Sequence, residues 1–310
     1  MVVVCPDCKK EHHIDEKMIP PNVKVARCRS CGARFSLSPA GQMPEKGVAE
    51  DASKEMRPRT IAVALSKGGV GKTTTSVNLA AGLAHAGFNV LLVDTDTQGQ
   101  DAYMLGAKPN AGLTELVTGE LGLDETVVKV RDRLWLLAGG KSLAGVKRFI
   151  SRKDFGGEMT LSESLLPVEK QYDYVIVDTS PGWDPLTVNV LFYVTEIMTP
   201  VSLEVMTLHG LLEFLKSVAS IQKYHKELSL KYIVPTFLDL RIKQSGNILE
   251  KLEKLYSNLL CKPIRYNVRL SEAPAFGQTI YEFAPGSHGA GDYRELVKKV
   301  AGNDNLFENQ

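Results

Sequence analysis

Short runs of β-branched and aliphatic residues alternate with longer amphipathic stretches through most of the chain. The apolar runs are IAVAL (61–65), NVLLVD (89–94), WLLA (135–138), YVIVDT (174–179), IMTPVS (197–202) and KYIVPTFL (231–238). They are largely apolar from end to end, as strands covered on both faces must be. Between them lie stretches of helical period such as 73–86, closed by Gly87 as a C-cap, and 208–226. This alternation predicts an α/β fold: a doubly wound, mostly parallel sheet that begins near Arg59 and runs to residue 302.

The remaining segments have a different character. Residues 1–37 hold four of the five cysteines, and 303–310 form a polar tail. Residues 38–58 are rich in Pro, Gly, Ala, Glu and Lys and have almost nothing large and apolar to bury. Such a stretch cannot repay its ordering entropy, so it reads as a flexible tether with a reach of roughly 25 Å.

Composition narrows the class. With 310 residues, 44% of them hydrophobic and 24% charged, the chain is neither disordered, collagenous nor a simple coiled coil. A formal net charge of +1 argues against a globally basic nucleic-acid binder but leaves room for a local patch. No uncharged apolar run approaches the roughly 20 residues that cross a bilayer, and Met1 to Cys5 is too short for a signal peptide's apolar region. A soluble cytoplasmic protein is expected.

The first candidate site follows the run 61–65: Ser66-Lys67-Gly68-Gly69-Val70-Gly71-Lys72-Thr73-Thr74, then a helix. Glycines let the backbone curl until successive N–H groups face phosphate oxygens, and the helix N-terminus adds partial positive charge. Lys72 is placed to reach β- and γ-phosphates and the Thr73 hydroxyl to hold Mg²⁺. A strict G-x-x-x-x-G-K-[ST] pattern needs glycine at 66; here Ser66 is followed by a second lysine, Lys67. Asp178 ends the run Val175-Ile176-Val177-Asp178 as a Walker B carboxylate that would hold Mg²⁺ through its water shell. The absence of N-K-x-D or a similar guanine-reading motif favours ATP over GTP.

The lysine-first loop resembles the deviant Walker A of the ParA/MinD group of P-loop ATPases, with a likeness that spreads over about residues 59–301. Asn267-Val268-Arg269-Leu270-Ser271-Glu272-Ala273-Pro274 and Leu186-Thr187-Val188-Asn189 are similar to runs of the chromosomal ParA/Soj proteins. The resemblance implies that Lys67 reaches the nucleotide of a second subunit, so that two monomers sandwich two ATP molecules. It also implies that Asp94-Thr95-Asp96-Thr97-Gln98-Gly99 is the first switch, with Asp96 positioning the attacking water and Asp94 near the metal. Thr97 stands where that group usually has proline, which predicts a more mobile loop; an acidic turn is the competing reading. Thr179-Ser180-Pro181-Gly182 is similar to the second switch. By the same resemblance Asn267 touches adenine, although an Asn before a helix also serves as a cap.

Cys5-Pro6-Asp7-Cys8 and Cys28-Arg29-Ser30-Cys31 form two Cys-x-x-Cys pairs. In a cytosolic chain such pairs read as metal ligands rather than disulfides, and two pairs complete a closed Cys₄ zinc site. An iron–sulfur cluster is the rival. The segment resembles small bacterial zinc ribbons, with His12 and His13 read as surface residues and the solitary Cys261 as a small buried hydrophobe. Typical chromosomal ParA proteins lack such a ribbon, so its presence implies an additional recognition surface. A closed zinc site does no chemistry itself.

Residues 222–270 carry ten Lys/Arg against four Asp/Glu, a local net of +6. The resemblance to Soj-like proteins implies that Arg241 and Arg269 contact DNA without reading its sequence, while a solvated basic face is the plainer alternative. The expectation is therefore a homodimer formed on ATP binding that coats the nucleoid. It would position a chromosome, plasmid or protein cargo, with hydrolysis stimulated by a ParB-like or adaptor partner. A membrane-surface ATPase of the MinD kind is the alternative; it needs an amphipathic C-terminal helix, and 293–302 ends in glycine without a large apolar aromatic. A third class, a nitrogenase-iron-protein-like electron carrier, needs cluster cysteines that the ATPase region lacks.

Overall fold

In a computed structural model of the chain the described residues are 2–5, 8–13, 25–36, 57–239 and 241–308. The chain divides into two compact units, Met1–Ser53 and Lys54–Gln310. The expected tether at 38–58 lies outside the described residues apart from Arg57 and Pro58.

The smaller unit contains two antiparallel pairs, β1 (Val2–Val4) with β2 (Glu11–His13) and β3 (Val25–Arg27) with β4 (Arg34–Ser36). Three-residue strands cannot bury enough surface to hold themselves. They bring together Cys5, Cys8, Cys28 and Cys31.

The larger unit is built on β5 (Arg59–Val63), β6 (Val90–Asp94), β7 (Val127–Arg131), β8 (Leu134–Leu137), β9 (Tyr174–Asp178), β10 (Glu196–Ser202) and β11 (Ser229–Thr236). They form one sheet in the order β11-β10-β5-β9-β6-β8-β7, parallel except for β7 against β8. Val90, Leu92, Tyr174 and Ile176 join the core on one face, and Leu91, Val93, Val175 and Val177 that on the other. Both faces are covered, which is why these strands read as unbroken apolar runs.

All six predicted strands are present, displaced by up to two residues at their ends. The edge strand β7 escaped the sequence reading for two physical reasons. Its burial is only partial, so VVKVR carries little apolar signal, and its hairpin with β8 turns through Asp132-Arg133, with Arg133 at φ 55°, instead of the usual Asn-Gly. The helix expected at 73–86 spans Lys72–His85, with Gly87 following it at φ 98°. That expected at 208–226 spans Val205–Ile221, and the chain turns before Lys226.

Register places the chemistry. Asp94 pairs directly with Asp178 across β6 and β9, and Asp178 also lies opposite Val63, the last residue of β5. The glycine-rich loop leaves β5 at that point, at the carboxyl edge where open α/β sheets take ligands. Behind it, the helix Lys72–His85 packs on the final helix, His288–Ala301, whose Tyr293, Leu296, Val297 and Val300 are buried. That apolar face is spent inside the protein, and Leu306 and Phe307 of the expected polar tail also pack onto this core.

Gly82 marks the closest approach in this packing. A Cβ there would sit 2.4 Å from the Tyr281 hydroxyl and 2.6 Å from Val297 Cγ2. Gly82→Val is expected to destabilise the larger unit by about 1–3 kcal/mol through overpacking. Urea unfolding followed by tryptophan fluorescence checks this, since Trp135 and Trp183 both lie in that unit.

Candidate nucleotide and metal sites

The loop between β5 and the helix Lys72–His85 turns through Gly69 at φ 73° and Gly71 at φ 87°, backbone that side chains rarely tolerate. Turns of that kind let successive N–H groups of a loop face a single anion. Lys72 is buried and donates from Nζ to the Lys67 carbonyl at 2.9 Å. Burial lowers its pKa, while the carboxylates of Asp178 and Asp96 oppose that shift. A buried cation at the floor of a loop lined with amides is a receptor for phosphate.

Lys67 takes another course. Its Nζ donates to Thr207 Oγ1 at 3.0 Å and lies 3.4 Å from Glu204 Oε2, at the start of the helix Val205–Ile221. The two lysines of one loop thus have opposite settings, one sunk beneath the cradle and one held at its rim. Glu204 is well exposed, so the contact is weak and exchangeable.

Asp178 accepts from Thr73 Oγ1 at 2.8 Å and from Ser76 Oγ at 2.7 Å, and its carbonyl accepts from both the N–H and the hydroxyl of Thr95. Asp94 Oδ1 accepts from the Asp96 N–H at 2.8 Å, and its Oδ2 is buried with no partner among the described residues. Burial first, then the neighbouring Asp178, pushes Asp94 up to about 7. Burial also raises Asp178 to about 6, against the pull of its two hydroxyl donors and Lys72. Thr73, Asp94 and Asp178 thus present oxygens of the kind that a hard divalent ion takes; the orphaned Asp94 oxygen shows the fit.

The turn after β6 holds without proline. Asp96 Oδ1 accepts from the Gln98 N–H at 3.0 Å, and its carbonyl accepts from Gly99 and from Gly140. Gly139 is pressed so close that a Cβ would meet the Asp94 carbonyl oxygen at 2.7 Å. Sequence reasoning missed this support from the 139–140 segment, because contact across the sheet leaves no local signature. It missed Ser76 as well, although a hydroxyl one helical turn after Thr73 faces the same way. Asp101, fully buried beside Asp94 and Asp178, was also overlooked.

Beyond the loop, a cavity of about 230 Å³ is lined by Gly71, Thr74, Phe237, Asn267, Pro274 and Tyr293 among others. Asn267 caps the helix Val268–Glu272, its Oδ1 accepting from the Arg269 N–H at 2.9 Å. The cap engages its oxygen, and the amide nitrogen keeps two donors for a base edge. The capping role expected as the alternative is thus present, at the wall of a cavity next to the phosphate loop.

Half of the ten basic residues in 222–270 are in ion pairs. Arg241 bridges Asp239, Lys254 bridges Glu250, Lys262 bridges Glu295, Arg265 bridges Asp292 and Arg269 bridges Glu272. Three of those acids lie outside the segment whose charges were counted, so the folded face is less positive than the sequence count implied. Arg241 and Arg269 nevertheless remain exposed, and exposed pairs exchange partners at little cost.

In the smaller unit, Cys5 Sγ lies 3.6 Å from Cys31 Sγ, and Cys8 Sγ 3.6 Å from Cys28 Sγ. A tetrahedral ion with metal–sulfur bonds of about 2.3 Å requires sulfurs about 3.8 Å apart. Four cysteines at this spacing fit zinc. His12, read as a surface residue, is half-buried with Nε2 3.2 Å from Cys28 Sγ. The Cys31 backbone leads the donors that pull the Cys28 thiol down, while the crowded sulfurs push Cys31 up, so these thiols share charge as one cluster. Cys261 is buried in the larger unit and pushed up to about 12 by that burial, the setting of an inert thiol.

Residues 58–231 match a family described as an AAA domain, and residues 1–36 match a zinc-ribbon domain. The sporulation initiation inhibitor protein Soj of Bacillus subtilis is 37% identical over 79% of this chain and 99% of that protein. The chromosome-partitioning ATPase Soj of Thermus thermophilus is 36% identical over 78% and 95%. A cobyrinic acid a,c-diamide synthase from Mycobacterium smegmatis, solved with ADP and magnesium, superposes with a TM-score of 0.68 at 28% identity, covering 79% of this chain and 94% of that one. A McdA–ATP complex from Cyanothece shares the fold, with a TM-score of 0.71 at 20% identity over 81% and 99%.

The buried acids generate a prediction in the nucleotide-free protein with chelator present. As pH rises from about 4, the carboxylates of the unfolded chain ionise, while Asp178 and Asp94 keep their protons to about 6 and about 7. The folded state then binds more protons than the unfolded one, so stability falls through that window. Tryptophan-detected denaturation should show this decline, and Asp94→Asn should make it shallower.

Proposed function

The chain belongs to the ParA/MinD family of deviant Walker A ATPases, and from that premise we propose that it is an ATP-driven dimerising switch that positions a chromosome, plasmid or large protein cargo on DNA. The observation that carries this reading is the division of labour between the two loop lysines. Lys72 is committed to its own phosphate cradle, whereas Lys67 is held at the rim by Thr207 and the exposed Glu204. A lysine set there is available to a neighbouring subunit.

In the proposed cycle the amides of Gly68, Gly69, Val70 and Gly71, with Thr74 at the helix start, bind the phosphates, and Lys72 offsets their charge. Asn267 presents its amide nitrogen to adenine in the adjoining cavity. Thr73, Asp94 and Asp178 would hold magnesium, which supplies charge neutralisation to the β- and γ-phosphate oxygens when bound with the nucleotide. Asp96 orients the attacking water, and Lys67 of the opposite subunit stabilises charge that develops on the transferring phosphoryl group. Two parts contributed by two molecules make hydrolysis depend on pairing, and a ParB-like or adaptor partner that orders the switch would accelerate it.

Pairing also doubles the weak basic face. Arg241 and Arg269 would exchange their carboxylate partners for DNA phosphates, so only the dimer binds strongly. In the smaller unit Cys5, Cys8, Cys28 and Cys31 would hold zinc, making metal binding the folding energy of a recognition module. The membrane-surface alternative has less support, because the apolar face of the helix His288–Ala301 is buried on the helix Lys72–His85. No helix among the described residues is long and apolar enough to cross a membrane.

Light scattering with a non-hydrolysable ATP analogue and magnesium tests the switch. Wild type should dimerise and retain random duplex DNA in a salt-sensitive manner. Lys67→Gln should bind nucleotide yet stay monomeric. Arg241→Glu with Arg269→Glu should dimerise but lose DNA binding at least about tenfold. Monomeric wild type, or DNA binding untouched by the double substitution, would count against the proposal.

A further inference from the structure

Asp101 lies in the short helix Gln100–Met104, directly after the turn that carries Asp96. Its side chain is fully buried, and neither carboxylate oxygen has a hydrogen-bond partner among the described residues. One of its oxygens lies within 4.8 Å of oxygens from Asp94 and Asp178. Asp94 Oδ2 is buried without a well-formed hydrogen bond, although the Asp101 backbone N–H acts on that carboxylate. Asp178 is already served by Thr73 and Ser76, but each carboxylate oxygen has a second lone pair to give.

Three buried carboxyl groups so close together cannot all ionise without a counter-charge, and Asp101 lacks the hydrogen bonds that would offset its burial. Lys72, the neighbouring buried cation, donates to the Lys67 carbonyl. Ligand oxygens around a six-coordinate magnesium at about 2.1 Å are separated by roughly 3 Å when adjacent and 4.2 Å when opposite. The cluster therefore has the span and the hardness for a small divalent cation, which would take the place of the protons that these acids otherwise keep.

We propose that Asp94, Asp101 and Asp178 form a divalent-cation site that fills before nucleotide arrives. The site adds Asp101 to the residues assigned above and makes metal occupancy independent of ATP; its place beside the phosphate loop rests on reading that loop as a nucleotide site. ATP would then meet a loop whose acidic floor already carries a cation to which its phosphate oxygens can turn. Asp101 would act as an inner or water-mediated ligand of the ion, set apart from the attacking water that Asp96 handles.

Manganese is the probe, because free Mn²⁺ is counted directly by electron paramagnetic resonance. The full chain, zinc-loaded and stripped of nucleotide, should bind one equivalent of Mn²⁺, and magnesium should compete for it. Asp101→Asn and Asp101→Ala should each weaken that uptake at least tenfold, and magnesium should raise the melting temperature of wild type but of neither variant. Far-ultraviolet circular dichroism and a cooperative urea transition in chelator serve as the control for folding and should be present in both variants. No uptake without nucleotide, or uptake that survives both substitutions, would overturn the proposal and leave a shared proton as the compensation. If Mn²⁺ binds but a fluorescent ATP analogue does not bind to wild type even with magnesium present, the cation site stands and the nucleotide reading falls instead.

Discussion

Two carboxylates placed side by side at the ends of adjoining strands, where water cannot reach them, set the terms for their surroundings. The parallel register of β6 and β9 puts Asp94 against Asp178, and an apolar sheet offers neither of them solvent. Positive charge and donors must therefore come from the protein or its ligands. The helix Lys72–His85 provides part of this with Thr73, Ser76 and the buried Lys72. The rest invites a cation, and a metal ion beside a phosphate-binding loop invites a triphosphate. Nucleotide chemistry at this edge follows from charge that the fold cannot neutralise alone.

That electrostatic demand explains why the site was readable where it was. The loop 66–74 announces itself because glycines, lysines and hydroxyls follow each other in the chain, and the geometry of phosphate binding is local. Asp178 was legible because it ends an apolar strand, and the four cysteines because two short pairs define a tetrahedron. Asp101, by contrast, looks like an ordinary polar residue at a helix start; only the fold carries it under the sheet edge to Asp94. The supporting approach of Gly139 and the Lys67 contacts with Glu204 and Thr207 are likewise long-range, and period or spacing along the chain does not encode them.

The charge on the surface taught the opposite lesson. A segment count suggested a strongly basic face, yet Glu272, Asp292 and Glu295 reach it from later parts of the chain. Apolar periodicity survives folding because it reports local burial. Net charge over a window does not, because neutralising partners arrive from anywhere. The C-terminal segment shows the same effect, since Leu306 and Phe307 dock on the core despite their polar neighbours.

The central claim is that Lys67 serves the phosphate of another molecule. Mixing two disabled proteins addresses it directly, one carrying Lys67→Gln and the other Asp96→Ala. In a mixed dimer the first subunit retains Asp96 for its own ATP and receives Lys67 from the second. The account predicts ATP hydrolysis by the mixture well above the sum of the two alone. A mixture no more active than that sum would place Lys67 in service of its own subunit and contradict the account.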